Sequence, residues 1–120
     1  MIEVIANQSD NIIAFTAYGQ VTGKDYELVL IPTVEAKLKE HRKIRLLYNL
    51  GDDFAGFEPK AIWDDLKVAL QHPTAWEKVA MVSDTNWITR ITKFCGLFVP
   101  FPVKVFPANE FAKATEWLKA

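Results

Sequence analysis

Apolar positions along the 120 residues change period several times, and each change marks an element. Residues 2–6 and 11–21 are mostly apolar, with the polar stretch 7–10 between them. They predict two strands joined by a turn. Tyr26, Leu30, Val34 and Leu38 then recur every four residues, so 23–41 predicts a helix with one buried stripe. Thr22 with Asp25 three residues on has the form of a capping box at its start. Pro32 inside it must kink or split it, because proline has no N–H and clashes with the preceding turn. Ile44–Leu50 predicts a mostly buried strand, and 51–57 a loop with glycine at Gly51 and Gly56. Pro59 suits the first turn of the next helix. That helix runs to about Gln71, with Ile62, Leu66 and Leu70 turned inward. Residues 78–82, extended back to Trp76, predict another strand. Ser83, Asp84 and Thr85 offer caps for a helix over 86–98, which Pro100 and Pro102 stop. Val103–Phe106 predicts a short final strand, and Asn109 is expected to cap a last helix ending at Leu118.

Strands alternating with helices predict one α/β domain over 1–120: about five strands in a mixed, mainly parallel sheet, with about four helices. The first pair, joined by a short turn, should be antiparallel. The pattern does not fix the strand order.

Composition narrows the class. The 14 basic and 15 acidic residues give a net charge of -1. A dedicated nucleic-acid binder carries a basic excess to neutralise phosphates, so no nucleic-acid partner is expected. The single cysteine, Cys95, excludes an intrachain disulfide and fits a reducing compartment. Residues 1–6 lack the basic start of a secretory signal. No apolar run approaches the ~20 residues of a membrane-spanning helix. The expected location is cytoplasmic, at most peripheral to the inner membrane surface.

An ordered set of residues carries a family resemblance. It begins with Leu47-Tyr48-Asn49-Leu50-Gly51-Asp52-Asp53-Phe54-Ala55-Gly56-Phe57 and continues through Ala61-Ile62-Trp63-Asp64-Asp65-Leu66-Lys67 and His72. Trp76-Glu77-Lys78-Val79-Ala80-Met81-Val82-Ser83-Asp84 and Trp87-Ile88 follow. The set ends with Val103-Lys104-Val105-Phe106-Pro107 and Ala114-Thr115-Glu116-Trp117-Leu118. Over nearly its whole length the chain resembles the SpoIIAA-like family of small bacterial proteins, within the STAS superfamily. The resemblance implies a mixed, mainly parallel α/β fold, akin to lipid-carrying CRAL-TRIO domains. Anti-sigma antagonists of that superfamily carry a phosphorylatable Ser or Thr in the loop after the third strand. This chain has Gly51, Asp52 and Asp53 there and no hydroxyl residue between Asn49 and Gln71, so the phosphoswitch does not transfer.

Candidate chemistry is sparse. Asp52, Asp53, Glu58, Asp64 and Asp65 could divide acid and base work or hold a hard cation. The plainer reading is a solvated turn for the first pair and a favourable helix start for the last. His41 and His72 stand at helix ends, without the spacing of a zinc site. Cys95 lies among Phe94, Leu97 and Phe98 and reads as an inert apolar thiol. No Walker loop, dinucleotide fingerprint or nucleophile elbow is present. The expectation is therefore a non-enzymatic protein with no metal and no cofactor.

The segment 85–109 stands out. It carries Arg90, Lys93 and Lys104 and no acidic residue. Trp87, Ile91, Phe94 and Phe98 follow at i, i+4, i+7 and i+11, and Phe101 extends the apolar surface past the helix. Such a helix packs on the sheet or meets a bilayer. In open α/β sheets ligands lie beyond the carboxyl ends of the strands. There Phe54, Phe57 and Trp87 would form one rim, with Ile91, Phe94 and Phe98 on a movable helix flanked by Arg90 and Lys93. The expected function is a binding module for a small apolar molecule or lipid, with peripheral membrane contact through 86–98. A protein-interaction module is the alternative, and a carboxylate- or metal-dependent enzyme a more distant one.

Overall fold

The computed structural model describes residues 1–5, 11–51, 54–71, 74–84, 86, 89–90, 92–93, 97 and 101–120, and only the backbone of 65, 66 and 68–70. Five strands form the main sheet: β1 (Ile2–Ile5), β2 (Ile12–Ala17), β4 (Ile44–Leu50), β6 (Trp76–Val82) and β7 (Val103–Phe106). Their order is β1-β2-β4-β6-β7. β1 runs antiparallel to β2, and every other neighbouring pair is parallel. The mixed, mainly parallel α/β sheet read from the sequence is therefore observed. The long apolar segment expected over 11–21 is divided. β2 ends at Ala17, Gly19 turns at φ 54°, and β3 (Gln20–Val21) pairs instead with β5 (Gly56–Phe57) as a small parallel ribbon. Positive φ is easy for glycine and costly for other residues.

The helical stretch after Thr22 shows how Pro32 is accommodated. α1 (Gly23–Asp25) leads into a π-helical turn, Tyr26–Leu30, and then α2 (Ile31–Glu40). Ile31 N–H reaches back five residues to the Tyr26 carbonyl. The missing Pro32 N–H sits just past this widened turn. The wider turn also corrects register. In a regular helix of about 3.6 residues per turn, a four-residue repeat drifts about 40° per step. One turn closing i→i+5 takes drift back. Tyr26, Leu30 and Val34 are all buried, and Leu38 packs beside them.

Each face of the sheet has its own core. On the first, Ile13, Phe15, Ile44, Leu46, Tyr48 and Trp76 pack under α1, the π turn, α2 and α3 (Pro59–Gln71). A register shift between Ile44 and Arg45 pairs Ile44 with Trp76 and Arg45 with Lys78. The extra residue, Glu77, lets Trp76 and Val79 share this face. On the second face, Ile12, Ala14, Leu47, Ala80, Val82 and Phe106 pack under α4 (Phe111–Lys119). Lys78 Nζ donates to the Trp117 carbonyl at 2.9 Å, and Arg45 donates to that of Leu118. Both cations stand where the helix dipole is negative. Asn109 is not the cap of α4. It lies within a 3-10 turn, Ala108–Glu110, and Glu110 precedes the helix without a side-chain cap.

Ile62 was expected inward and is instead 58% exposed, as is Trp63, while Ala61 and Asp64 take the buried side of α3. A helix turns about 100° per residue, so it cannot bury Ala61, Ile62 and Asp64 with Trp63 beside them. Small Ala61 permits the close approach of α3 to α1. Leu66 and Leu70 fall outside the described side chains.

Candidate functional site

The carboxyl ends of the parallel strands are tied together by backbone bonds. Gly51 N–H donates to Ala17 O at 3.0 Å, Ala55 N–H to Gly19 O at 2.8 Å, and Glu58 N–H to Val21 O at 2.8 Å. Glu58 Oε1 accepts from Gly23 N–H at 3.1 Å, so this carboxylate of the acidic set caps structure. Gly56, at φ 129°, bends the loop so that Phe57 enters the ribbon. The result is a pinned rim with an aromatic column running inward. Phe54 and Phe57 are half-buried, with centroids 5.1 Å apart and edge-on. Phe57 stands edge-on to buried Tyr48 at 6.2 Å. The Tyr48 hydroxyl donates to the Tyr26 hydroxyl at 3.1 Å.

The first face is unevenly covered. Side chains of β2 and β4 on it, from Ile13 to Leu50, are sealed. Those of β6 beyond buried Trp76, and those of β7, are not: Val79, Met81, Val103 and Val105 are half-buried, as is Phe101. The ladder pairs Val79 with Val103 and Met81 with Val105, so the four form one apolar floor.

The expected site residues divide among three places. Phe54 and Phe57 share the rim. Phe101 packs against the same core but precedes β7, at the opposite end of the strands, roughly 20 Å away by strand rise. Asn86, Arg90 and Lys93 are helical and exposed, and Thr89 and Thr92 are helical and half-buried. Trp87, Ile91, Phe94 and Phe98 lie outside the described residues, and so do Asp52, Asp53, His72 and Cys95.

Outside the expected set, the surface of α3 shows Ile62 and Trp63 in a basic frame. Lys67 Nζ stands 5.9 Å from the Trp63 ring centre. Lys60 pairs with Glu27 and stands 3.7 Å from Asp64. The Lys60 bond holds the Glu27 carboxyl below its ordinary range, assisted by Lys67 and Lys24, and the same bond raises the Lys60 ammonium. Two adjacent large apolar residues on a short helix were the available sequence signal, since one of them must face out. Asp64 is buried and stands within ion-pair distance of the Lys60 ammonium. Among the described residues no group of three or more His, Cys, Asp or Glu could hold a metal ion, and no helix is long and apolar enough to cross a membrane.

A family model described as SpoIIAA-like matches residues 12–119. Among solved structures, a protein of the DUF3478 family with a SpoIIAA-like fold, from Shewanella loihica PV-4, is similar. It is 29% identical, with a TM-score of 0.78, over 98% of this chain and 92% of that one. No curated protein matches the chain.

Proposed function

The chain belongs to the SpoIIAA-like family, and from that premise we propose that it is a non-catalytic binding module that takes an apolar molecule or lipid chain on the β6–β7 half of its first face. The uneven cover of that face carries the reading: one sheet surface is sealed over β2–β4 and half-open over β6–β7. The connections β2–β4 and β4–β6 both cross this face. A β6–β7 crossover of the same hand would pass over the open half. The stretch 86–98, in whose sequence Trp87, Ile91, Phe94 and Phe98 recur at helical spacing, would then serve as the movable cover. Burying each large apolar side chain contributes roughly 1.5–3 kcal/mol, so the cover stays closed in water and opens where lipid replaces the floor.

The same side of the molecule offers a membrane contact. Ile62 and Trp63 would enter the headgroup boundary, and Lys67, Arg90 and Lys93 would each add about 1 kcal/mol near anionic lipid. Co-sedimentation with anionic and with neutral vesicles tests this. Wild-type protein should pellet with anionic vesicles. Ile62→Ser with Trp63→Ser should weaken pelleting about tenfold, and Phe94→Asp with Phe98→Asp should abolish it in a variant still folded by circular dichroism. Family membership and the exposed Trp63 in its lysine frame also support a second reading, a protein-interaction or regulatory module anchored by Trp63. Protein that stays in the supernatant with both vesicle types, and takes up no fluorescent apolar probe, would remove the lipid reading and leave this one.

A further inference from the structure

We infer that the outer edge of β1 is a docking strand for an extended segment of a partner protein, one that sets a basic residue between two apolar ones. The inference is independent of the apolar site. Among the described residues β1 has β2 as its sheet neighbour and no strand on its other side. The ladder fixes which atoms that edge offers. Met1 N donates to Tyr18 O at 2.8 Å and Tyr18 N–H donates to Met1 O at 2.7 Å, so this pair exchanges both bonds. In an antiparallel ladder bonded and non-bonded pairs alternate. Glu3 with Thr16 and Ile5 with Ala14 therefore bond inward, and Ile2 and Val4 point their N–H and C=O groups outward. β2 agrees from its other side: Ala17 O accepts from Gly51 N–H, which directs Ala17 away from β1.

Sheet edges are usually guarded against such pairing by lysine, proline or a bulge. At the opposite edge β7 carries exposed Lys104 and stands between Pro102 and Pro107. β1 has none of these guards: its register is regular and Val4 is 48% exposed. Buried Ile2 and the Met1–Tyr18 bonds hold the strand in place, so the edge is formed before a partner arrives. That lowers the ordering cost of binding. Side chains then choose the occupant. Exposed Glu3 lies on the second face of the sheet, and Ile2 and Val4 lie on the first. An added strand places its own residues opposite these three. A basic residue facing Glu3, with apolar residues beside Ile2 and Val4, complements them. β1 carries no Lys or Arg, so a second copy of this chain can set neither opposite Glu3 in a β1–β1 pairing. Such a pairing centred on Glu3 would bring two like charges together.

The probe is the acetylated and amidated peptide Thr-Val-Lys-Val-Thr, titrated at low salt into isotope-labelled protein and followed by NMR. Millimolar peptide should shift the Ile2 and Val4 amide resonances and leave those of β7 in place. Val4→Pro removes an outward donor without touching the β1–β2 ladder, and should lose the binding. A peptide with Glu in place of Lys should bind about fivefold more weakly, and Glu3→Lys should reverse that order. Two further peptides need no folded variant. Methylation of both valine nitrogens blocks the donors that face β1 and should abolish binding, whereas methylation of the lysine nitrogen should leave it intact. Absence of any shift at Ile2 and Val4 in wild type overturns the inference. Equal affinity for the lysine and glutamate peptides overturns it too, as does equal loss with the lysine-methylated peptide. A wild-type dimer in sedimentation that Val4→Pro dissolves would make a second copy the occupant, and overturns it as well.

Discussion

Thr22 and Asp25 illustrate how much one short motif decides. The Thr22 hydroxyl accepts from Asp25 N–H at 3.2 Å, while Asp25 Oδ2 accepts from Thr22 N–H at 2.8 Å. Thr22→Ala should cost about 1 kcal/mol, the usual penalty for a lost cap, measured by urea unfolding. The same contacts set a pH dependence. Burial alone would raise the Asp25 carboxyl, but the Thr22 backbone and hydroxyl bonds and the Met1 ammonium outweigh it and hold it below 3.8. A carboxyl lowered in the folded state stabilises fully above its unfolded value and loses that contribution as pH falls through the folded one. Unfolding midpoints of wild type should therefore drop more steeply below about pH 4 than those of Thr22→Ala. Parallel slopes would show that the carboxyl is not stabilised by the cap. This motif was fully legible in the sequence, because both partners lie within one turn. The Tyr26–Tyr48 bond was not. Its partners are 22 residues apart, and only the fold brings them together.

Among the elements, the π turn is the one that reading by period could only half anticipate. Pro32 announces an interruption, but proline in a helix is compatible with a kink, a break or a widened turn. Which one occurs depends on what must be buried, and here a four-residue repeat has to stay on one face. The turn makes a specific prediction about two leucines two positions apart. Leu30 is 2% exposed and Leu28 is 75% exposed. Leu30→Ala should cost about 2–5 kcal/mol, and Leu28→Ala should stay within about 0.5 kcal/mol. Comparable losses at both positions would contradict the register. In α3 the period misled at Ile62. It was expected on an inward stripe, yet it is exposed and the helix buries Ala61 and Asp64. The competing requirement is close approach to α1, which a small side chain meets and an isoleucine would obstruct.

For the whole molecule, alternation of strands and helices identified a mainly parallel sheet. It could not give the order β1-β2-β4-β6-β7, because the hand and direction of crossovers are not written in periodicity. Nor could it assign α4 to the second face. Lys78 shows what holds it there, bonding the Trp117 carbonyl and standing 5.1 Å from the Trp117 ring centre. Lys78→Met keeps the stem and removes the charge. It should lower stability by about 0.3–1 kcal/mol through the helix terminus alone. The loss should shrink little in 1 M salt, because this contact is partly shielded from solvent.

The placement of α4 has a consequence in time. Strands β2, β4, β6 and β7 are laid down in the order in which they neighbour one another, so each can add to a sheet edge already present. Synthesis proceeds at about 5–20 residues per second, and the first face can be covered as its helices emerge. The second face waits for α4, which follows all the described strands. Until α4 docks, Leu47, Ala80, Val82 and Phe106 form a bare apolar sheet surface on an otherwise assembled fold. The nascent sheet therefore carries this bare surface from the pairing of β7 until α4 docks, and that interval, rather than an early collapse, is when a holding chaperone has most to do.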